Sequence, residues 1–256
     1  MIERPSEPEL KRTVSPPART RHVTRLSVHP DPEAAAQTAA DLLVALIAEA
    51  QAARGVAHVA LAGGSTPRRT YELLGPLLSD PANVEWWFGD ERCVPADDPD
   101  SNYHLISGTL LRAATIPDDR VHRIRGELPP REAADHYAAE LLRTAPLDDH
   151  GVPRLDVAFL GLGEDGHTAS LFPDDPVLEI RDSLAVPVVA VKPPPNRITL
   201  TLPVLRAARS VVILATGAGK RDAVARVLAG PDPGTPASLL ATNSLTLVLD
   251  EAAAPL

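Results

Sequence analysis

Cys93 is the only cysteine in the chain. That excludes an internal disulfide framework and any cysteine-rich metal knuckle, and it points to a reducing compartment, so the expected location is the cytoplasm. Aromatic residues are only 3% of the sequence, which leaves an aliphatic core. No uninterrupted apolar run approaches the roughly 20 residues of a membrane-spanning helix. Residues 1–22 mix Pro, Glu, Lys and Arg without the apolar stretch of a signal peptide, and read as a flexible tail ahead of the fold. There is also no Lys/Arg-rich run to offset a formal charge of −9 and a pI near 5.3. Nucleic acids and anionic membranes are therefore not expected as partners. A small phosphorylated ligand would have to be held by a few local cations and backbone N–H groups against the field of the whole protein.

What is present fits one globular domain over residues 23–256. The chain is 256 residues long, 44% hydrophobic and 23% charged, the balance of an ordinary folded protein. Val23 to Val28 alternates like a strand, and Asp31-Pro32 supplies an N-cap and a first-turn proline for a helix that runs to Arg54 and stops at Gly55. Ala57 to Ala62 predicts a buried strand, Gly63-Gly64-Ser65-Thr66 a turn, and Pro67 to Leu78 a helix. The unit repeats with a strand over Val84 to Phe88, a polar loop over Gly89 to Asp100 and a helix over Ser101 to Ala113. Further strands are predicted at Val121 to Ile124, Leu155 to Leu160, Leu184 to Val191, Ile198 to Leu202, Val211 to Ala215 and Leu245 to Leu249. Helices are predicted over Arg131 to Thr144 and Gly219 to Leu228. Solid apolar strands alternating with helices imply an α/β fold with a mostly parallel, Rossmann-like sheet and helices on both faces. Ligands in such folds sit beyond the carboxyl ends of the strands, so the polar loops there are the candidates for chemistry.

The loop Gly63, Gly64, Ser65 and Thr66 lies between a strand and a helix start. It can cradle an anion with glycine backbone, helix N–H groups and hydroxyls, or it can be a tight turn capped by Ser65 or Thr66. Gly161, Gly163 and Gly166 match a dinucleotide fingerprint in form. Glu164 and Asp165, however, would put carboxylates beside a pyrophosphate, and the next strand leads into Lys192 where a ribose-binding acid belongs. The same segment reads better as a catalytic loop, with Asp165 two residues before His167. A carboxylate can orient an imidazole, whose ordinary titration near neutrality suits a general base. Gly217-Ala218-Gly219-Lys220 looks like the end of a Walker A loop, but Leu214 and Arg221 stand where that motif needs glycine and Ser/Thr. Lys220 can still aim an ammonium at a phosphate. Arg92 and Arg197 can each offer a bidentate contact or sit in a surface ion pair. Asp97, Asp98 and Asp100 lack the spacing of a calcium loop.

Five segments, taken in order, resemble the 6-phosphogluconolactonase family: Leu61 to Pro67, Phe88 to Pro95 with Ser101-Asn102-Tyr103, Gly161 to Pro173, Pro194 to Thr199, and Gly217 to Lys220. The resemblance implies a fold shared with glucosamine-6-phosphate deaminases and ribose-5-phosphate isomerases. It also implies hydrolysis of 6-phospho-D-glucono-1,5-lactone in the oxidative pentose phosphate pathway. Carried over by position, Gly63 to Thr66 with Arg197 and Lys220 would hold the phosphate. His167 would activate water with support from Asp165, and Arg92 would lie near the reacting end of the sugar. No metal and no cofactor are expected, because a lactone carbonyl is already electrophilic. A deaminase is the nearest alternative, but Thr168-Ala169-Ser170-Leu171-Phe172-Pro173 lacks the glutamate those enzymes carry after this turn. A sugar-phosphate effector domain would need a DNA-binding segment, and residues 1–22 are too short and proline-rich to form one. A monomer is expected, since no long exposed apolar stripe stands out.

Overall fold

Asp31 accepts the Ala34 N–H at 2.8 Å, and Pro32 stands at the first helical position. The resulting helix, α1 (Pro32–Arg54), ends where Gly55 takes φ 83°, a left-handed conformation that suits glycine. A computed structural model describes residues 23–241 and 244–255, so the expected 1–22 tail lies outside the described residues. Around α1 the chain forms β1 (Val23–His29), β2 (Ala57–Leu61), α2 (Ser65–Leu74), β3 (Val84–Phe88), β4 (Asp90–Arg92), α3 (Asn102–Ile106) and α4 (Pro130–Thr144). It continues through β5 (Val157–Gly161), β6 (Ala185–Val189), β7 (Asn196–Leu200), α5 (Leu202–Ala207), β8 (Ser210–Ala215), α6 (Arg221–Ala229) and β9 (Ser244–Asp250).

Six strands form one parallel sheet in the order β1-β9-β8-β5-β2-β3. Every residue of β2 and β3 is buried, as happens when both faces of a sheet are covered. The alanines on the inner stripe of α1, Ala35, Ala36, Ala39 and Ala40, let that helix lie close to the strands. The protein is a single α/β domain. Among the described residues no helix is long and apolar enough to cross a membrane.

Local differences from expectation have local causes. The polar loop predicted from Gly89 to Asp100 contains β4, which pairs antiparallel with β7, itself paired with β6, in a second, three-stranded sheet. Asp-Glu-Arg has no strand-like alternation, so only its partner strand makes it extended. Val121 to Ile124 forms a single bridge, Val121 to Trp86, in place of a strand. The helix expected to reach Ala113 ends at Ile106 and continues as a π-helical turn over Ser107–Leu111. α2 begins at Ser65, two residues early, because a proline N–H is not needed in a first turn. α6 begins at Arg221 after a 3-10 turn over Ala218–Lys220.

Below β3 lies a buried charge cluster. His122 stacks on Trp87 with ring centroids 4.0 Å apart. Its Nε2 meets Glu85 at 2.7 Å and its Nδ1 meets Glu140 at 2.8 Å, while Arg120 also pairs with Glu85. Burial acts to lower the imidazole pKa, but the two carboxylates outweigh it and hold His122 above its ordinary range. A raised folded pKa adds stability that is complete below the unfolded value of about 6.5 and is lost as pH rises through the folded value. Thermal melts should therefore show wild type losing more stability than His122→Gln between about pH 6 and about pH 9. At the lower pH the variant should already be weaker by about 1.5–3 kcal/mol, because Glu85 and Glu140 lose a charged hydrogen-bond donor while Glu85 keeps Arg120. Parallel pH curves for the two proteins would exclude a charged His122.

Candidate active site

From β2 the chain passes to β3 on one side, whereas β5, β8 and β9 lie on the other. The loops leaving β2 and β5 therefore diverge, and an open α/β sheet binds ligands in the crevice so created. A cavity of about 200 Å³ opens there, lined by residues that follow β2, β3, β5 and β8. It brings together Gly63, Gly64, Ser65, Thr66, Arg92, His167, Arg197 and Lys220. Asp165 does not line it but stands behind His167.

The glycine loop is shaped by close contacts. The buried Tyr71 hydroxyl donates to the Ala62 carbonyl at 2.5 Å and fixes the end of β2. A Cβ at Gly63 would lie 1.7 Å from Asn102 Oδ1, so only glycine fits. Gly64, at φ 96°, caps α2 without any side-chain cap bond. This corrects the reading of Ser65 or Thr66 as the cap: both lie inside the first turn, whose N–H groups are left without helical acceptors.

The loop after β5 holds the imidazole. His167 Nδ1 is 2.5 Å from Asp165 Oδ1, and the same oxygen accepts the His167 backbone N–H at 3.1 Å. Burial works to raise the Asp165 pKa, but the His167 N–H and ring outweigh it and hold the carboxyl below its ordinary range. With Nδ1 engaged, Nε2 is the nitrogen left to exchange a proton with a cavity ligand. Gly163 permits this arrangement, since a Cβ there would meet His167 Nδ1 at 2.0 Å and Asp165 Oδ1 at 2.5 Å. Phe172 supports the ring from 5.0 Å and carries the Arg197 guanidinium 5.8 Å from its own centroid.

The small antiparallel sheet assembles the arginines. Arg92 and Arg197 are direct partners in the β4–β7 register, a relation that sequence spacing could not show. Arg92 donates to the Asp100 carbonyl at 2.7 Å, and its buried Nε has no partner. Arg197 is buried and donates to the Pro194 and Lys192 carbonyls at 3.1 and 3.2 Å. Burial, then the neighbouring Arg92 charge, lowers its pKa. Among the described residues neither arginine nor Lys220 forms an ion pair with a carboxylate. Three cations thus reach one cavity without being neutralised by such a pair.

Several residues here were not singled out from sequence. Asp90 lines the cavity, accepts the Ser170 hydroxyl at 2.6 Å and receives the Asn102 amide on both its carbonyl and its carboxylate. Buried Glu91 accepts the N–H groups of Arg92, Asn102 and Tyr103 and the Ser101 hydroxyl. Burial pushes its pKa up to about 7 against the pull of those donors. The available signal was Ser101-Asn102-Tyr103 trailing Asp90-Glu91-Arg92, but its meaning is tertiary. Burial and the Glu91 charge raise the Cys93 thiol to about 11, so it is not an activated nucleophile. Among the described residues no group of three or more His, Cys, Asp or Glu could hold a metal ion.

These features define a class: an α/β protein whose switch-point crevice joins an imidazole–carboxylate pair to a basic, glycine-walled cradle. Comparison with known proteins makes the class specific. Residues 30–249 match the family described as glucosamine-6-phosphate isomerases/6-phosphogluconolactonase, and the chain belongs to it. A human 6-phosphogluconolactonase is 45% identical over 183 residues, covering 69% of this chain and 70% of its own. One from Streptomyces coelicolor is 40% identical over 246 residues, covering 90% and 93%. The solved 6-phosphogluconolactonase of Trypanosoma brucei superposes with a TM-score of 0.82 at 31% identity, covering 90% of this chain and 97% of that one. A monomeric glucosamine-6-phosphate deaminase, 23% identical with a TM-score of 0.75, shares the fold.

The contacts at Gly163 give a direct structural test. Gly163→Ala should displace the His167–Asp165 pair and move the ¹⁵N resonances of the His167 ring, whereas Gly161→Ala, whose Cβ would meet nothing within 4 Å, should leave them in place. Unchanged ring resonances in Gly163→Ala would contradict the packing described.

Proposed function

We propose that this cavity hydrolyses 6-phospho-D-glucono-1,5-lactone to 6-phospho-D-gluconate, a step of the oxidative pentose phosphate pathway. One observation carries the reading: the His167–Asp165 pair opens onto the same cavity as three cations without carboxylate partners. A phosphate dianion needs such cations, and a lactone needs a base for water. The 6-phosphate binds the N–H groups and hydroxyls of the Gly63 to Thr66 loop, with Arg197 and Lys220 completing the cradle.

At the other end of the substrate, Asp165 holds the Nδ1–H tautomer of His167, leaving Nε2 to take a proton from water. The water oxygen bonds to C1, and the carbonyl pair becomes an oxyanion stabilised by the nearby Arg92 guanidinium. Collapse of this intermediate breaks the bond from C1 to the ring oxygen. The departing oxygen receives the proton from the His167 imidazolium, and the new carboxylic acid ionises. Phe172 stands at the position where the deaminases carry their glutamate, and its apolar ring packs beside His167 at 5.0 Å. That supports hydrolysis over amine chemistry.

The half-buried, unactivated Cys93 thiol is consistent with a reducing, cytoplasmic setting. A monomer is proposed because the exposed large apolar side chains are divided among separate elements, such as Leu26 on β1, Leu142 on α4 and Leu228 on α6.

Fresh lactone should be consumed faster than its spontaneous hydrolysis without added nucleotide or metal, and a chelator should not change the rate. His167→Ala should keep the fold but lose most of the acceleration, since a positioned base supplies about 10²–10⁴-fold. Wild-type turnover in that variant would remove His167 from the mechanism.

The phosphate cradle has its own measurement. Arg197→Ala or Lys220→Ala should weaken phosphorylated lactone by roughly 1.5–3 kcal/mol and leave unphosphorylated gluconolactone nearly unaffected. Equal losses on both substrates, or none on either, would show that the phosphate binds elsewhere.

A further inference from the structure

At the opposite end of the parallel sheet, away from the carboxyl ends of the strands, lies a second basic concavity. Its volume is about 420 Å³, and Arg25, Arg54, Arg154 and Arg209 line it with only two carboxylates, Glu49 and Asp156. This local excess of positive charge occurs in a chain whose formal charge is −9. Structural pairing uses up only part of it. Arg54 Nη2 and Arg209 Nε lie 2.8 and 3.2 Å from the same Asp156 oxygen. The buried Arg209 Nε makes no hydrogen bond of good geometry. The other Asp156 oxygen accepts the His58 N–H at 2.8 Å, so one nearly inaccessible carboxylate serves two guanidiniums and a strand. Arg25 on β1 and Arg154 just before β5 have no ion pair among the described residues.

With two carboxylates among four guanidiniums, the concavity keeps an excess of positive charge that an entering anion would offset, and Arg25 and Arg154 offer planar forks that match phosphate oxygens. We propose that this concavity is a second anion site, separate from the active site, that takes a small ligand bearing a diphosphate or polyphosphate group. A single phosphate would engage two forks at most, whereas a linked pair of phosphates can span the unpaired arginines and the shared ones. Arg25 and Arg154 are the recognition residues, because neither is held in an ion pair among the described residues. Arg54 and Arg209 add positive potential while holding Asp156. The site abuts the entry ends of β2 and β5, whose exit ends carry the glycine loop and the His167 loop.

The probe is inorganic pyrophosphate, measured by isothermal titration against the full chain at about 0.1 M salt, where charges beyond about 10 Å are screened. The active-site cradle also attracts phosphates, so the titration uses the Arg197→Gln/Lys220→Gln protein as its reference. That protein should still bind one pyrophosphate. Adding Arg25→Gln or Arg154→Gln should weaken this binding at least about tenfold, as expected for a lost charge-assisted hydrogen bond. Circular dichroism should be unchanged, since neither side chain forms an ion pair among the described residues. In an otherwise wild-type chain, the Arg25→Gln/Arg154→Gln pair should hydrolyse lactone at the normal rate. The proposal is overturned if the reference protein fails to bind pyrophosphate, or if binding survives both arginine replacements undiminished.

Discussion

The contact between β2 and β5 is the constraint on which the rest of the molecule depends. These strands meet over only Val59–Val157 and Ala60–Ala158, yet the order of the sheet reverses between them. Asp156 reinforces the short pairing: its carboxylate holds the His58 N–H, its own N–H donates to the His58 carbonyl at 2.8 Å, and Arg54 and Arg209 tie it to the end of α1 and the approach to β8. A buried carboxylate with these partners fixes the register, because a slip would strand a charge in the core. With β2 and β5 held side by side, the glycine loop and the His167 loop must emerge at the same crevice.

Within that crevice, buried polar groups convert proximity into fixed geometry. Asp90 links Ser170, which follows the His167 loop, to Asn102, whose side chain presses on Gly63. Glu91 fastens the Arg92 backbone to the start of α3. The aromatic hydroxyls act similarly: Tyr71 binds the end of β2, and Tyr137 accepts from and donates to the backbone of Phe88 at the end of β3. Few aromatics are present, but these two are placed where strands turn into functional loops. Because each group is buried and paired, moving one loop would leave polar atoms of another unsatisfied.

The α/β class, the main strands and the capped first helix were legible in the sequence, because they rest on short-range chemistry: solid apolar runs, Asp31-Pro32 and Gly55. The His167 loop was legible for the same reason, since Asp165 lies two residues away and Gly163 and Gly166 give the turn its shape. Tertiary structure alone decided the rest. It made a strand of Asp90-Glu91-Arg92 by pairing it with β7, and it set Arg92 beside Arg197. It joined Asp90 to Ser170 and Asn102, and it gathered Arg25, Arg54, Arg154 and Arg209 from distant segments into one concavity. Sequence pattern records periodicity and local turn chemistry. Convergence of charges from separate strands depends on sheet order and register, which are fixed only when the whole core is packed.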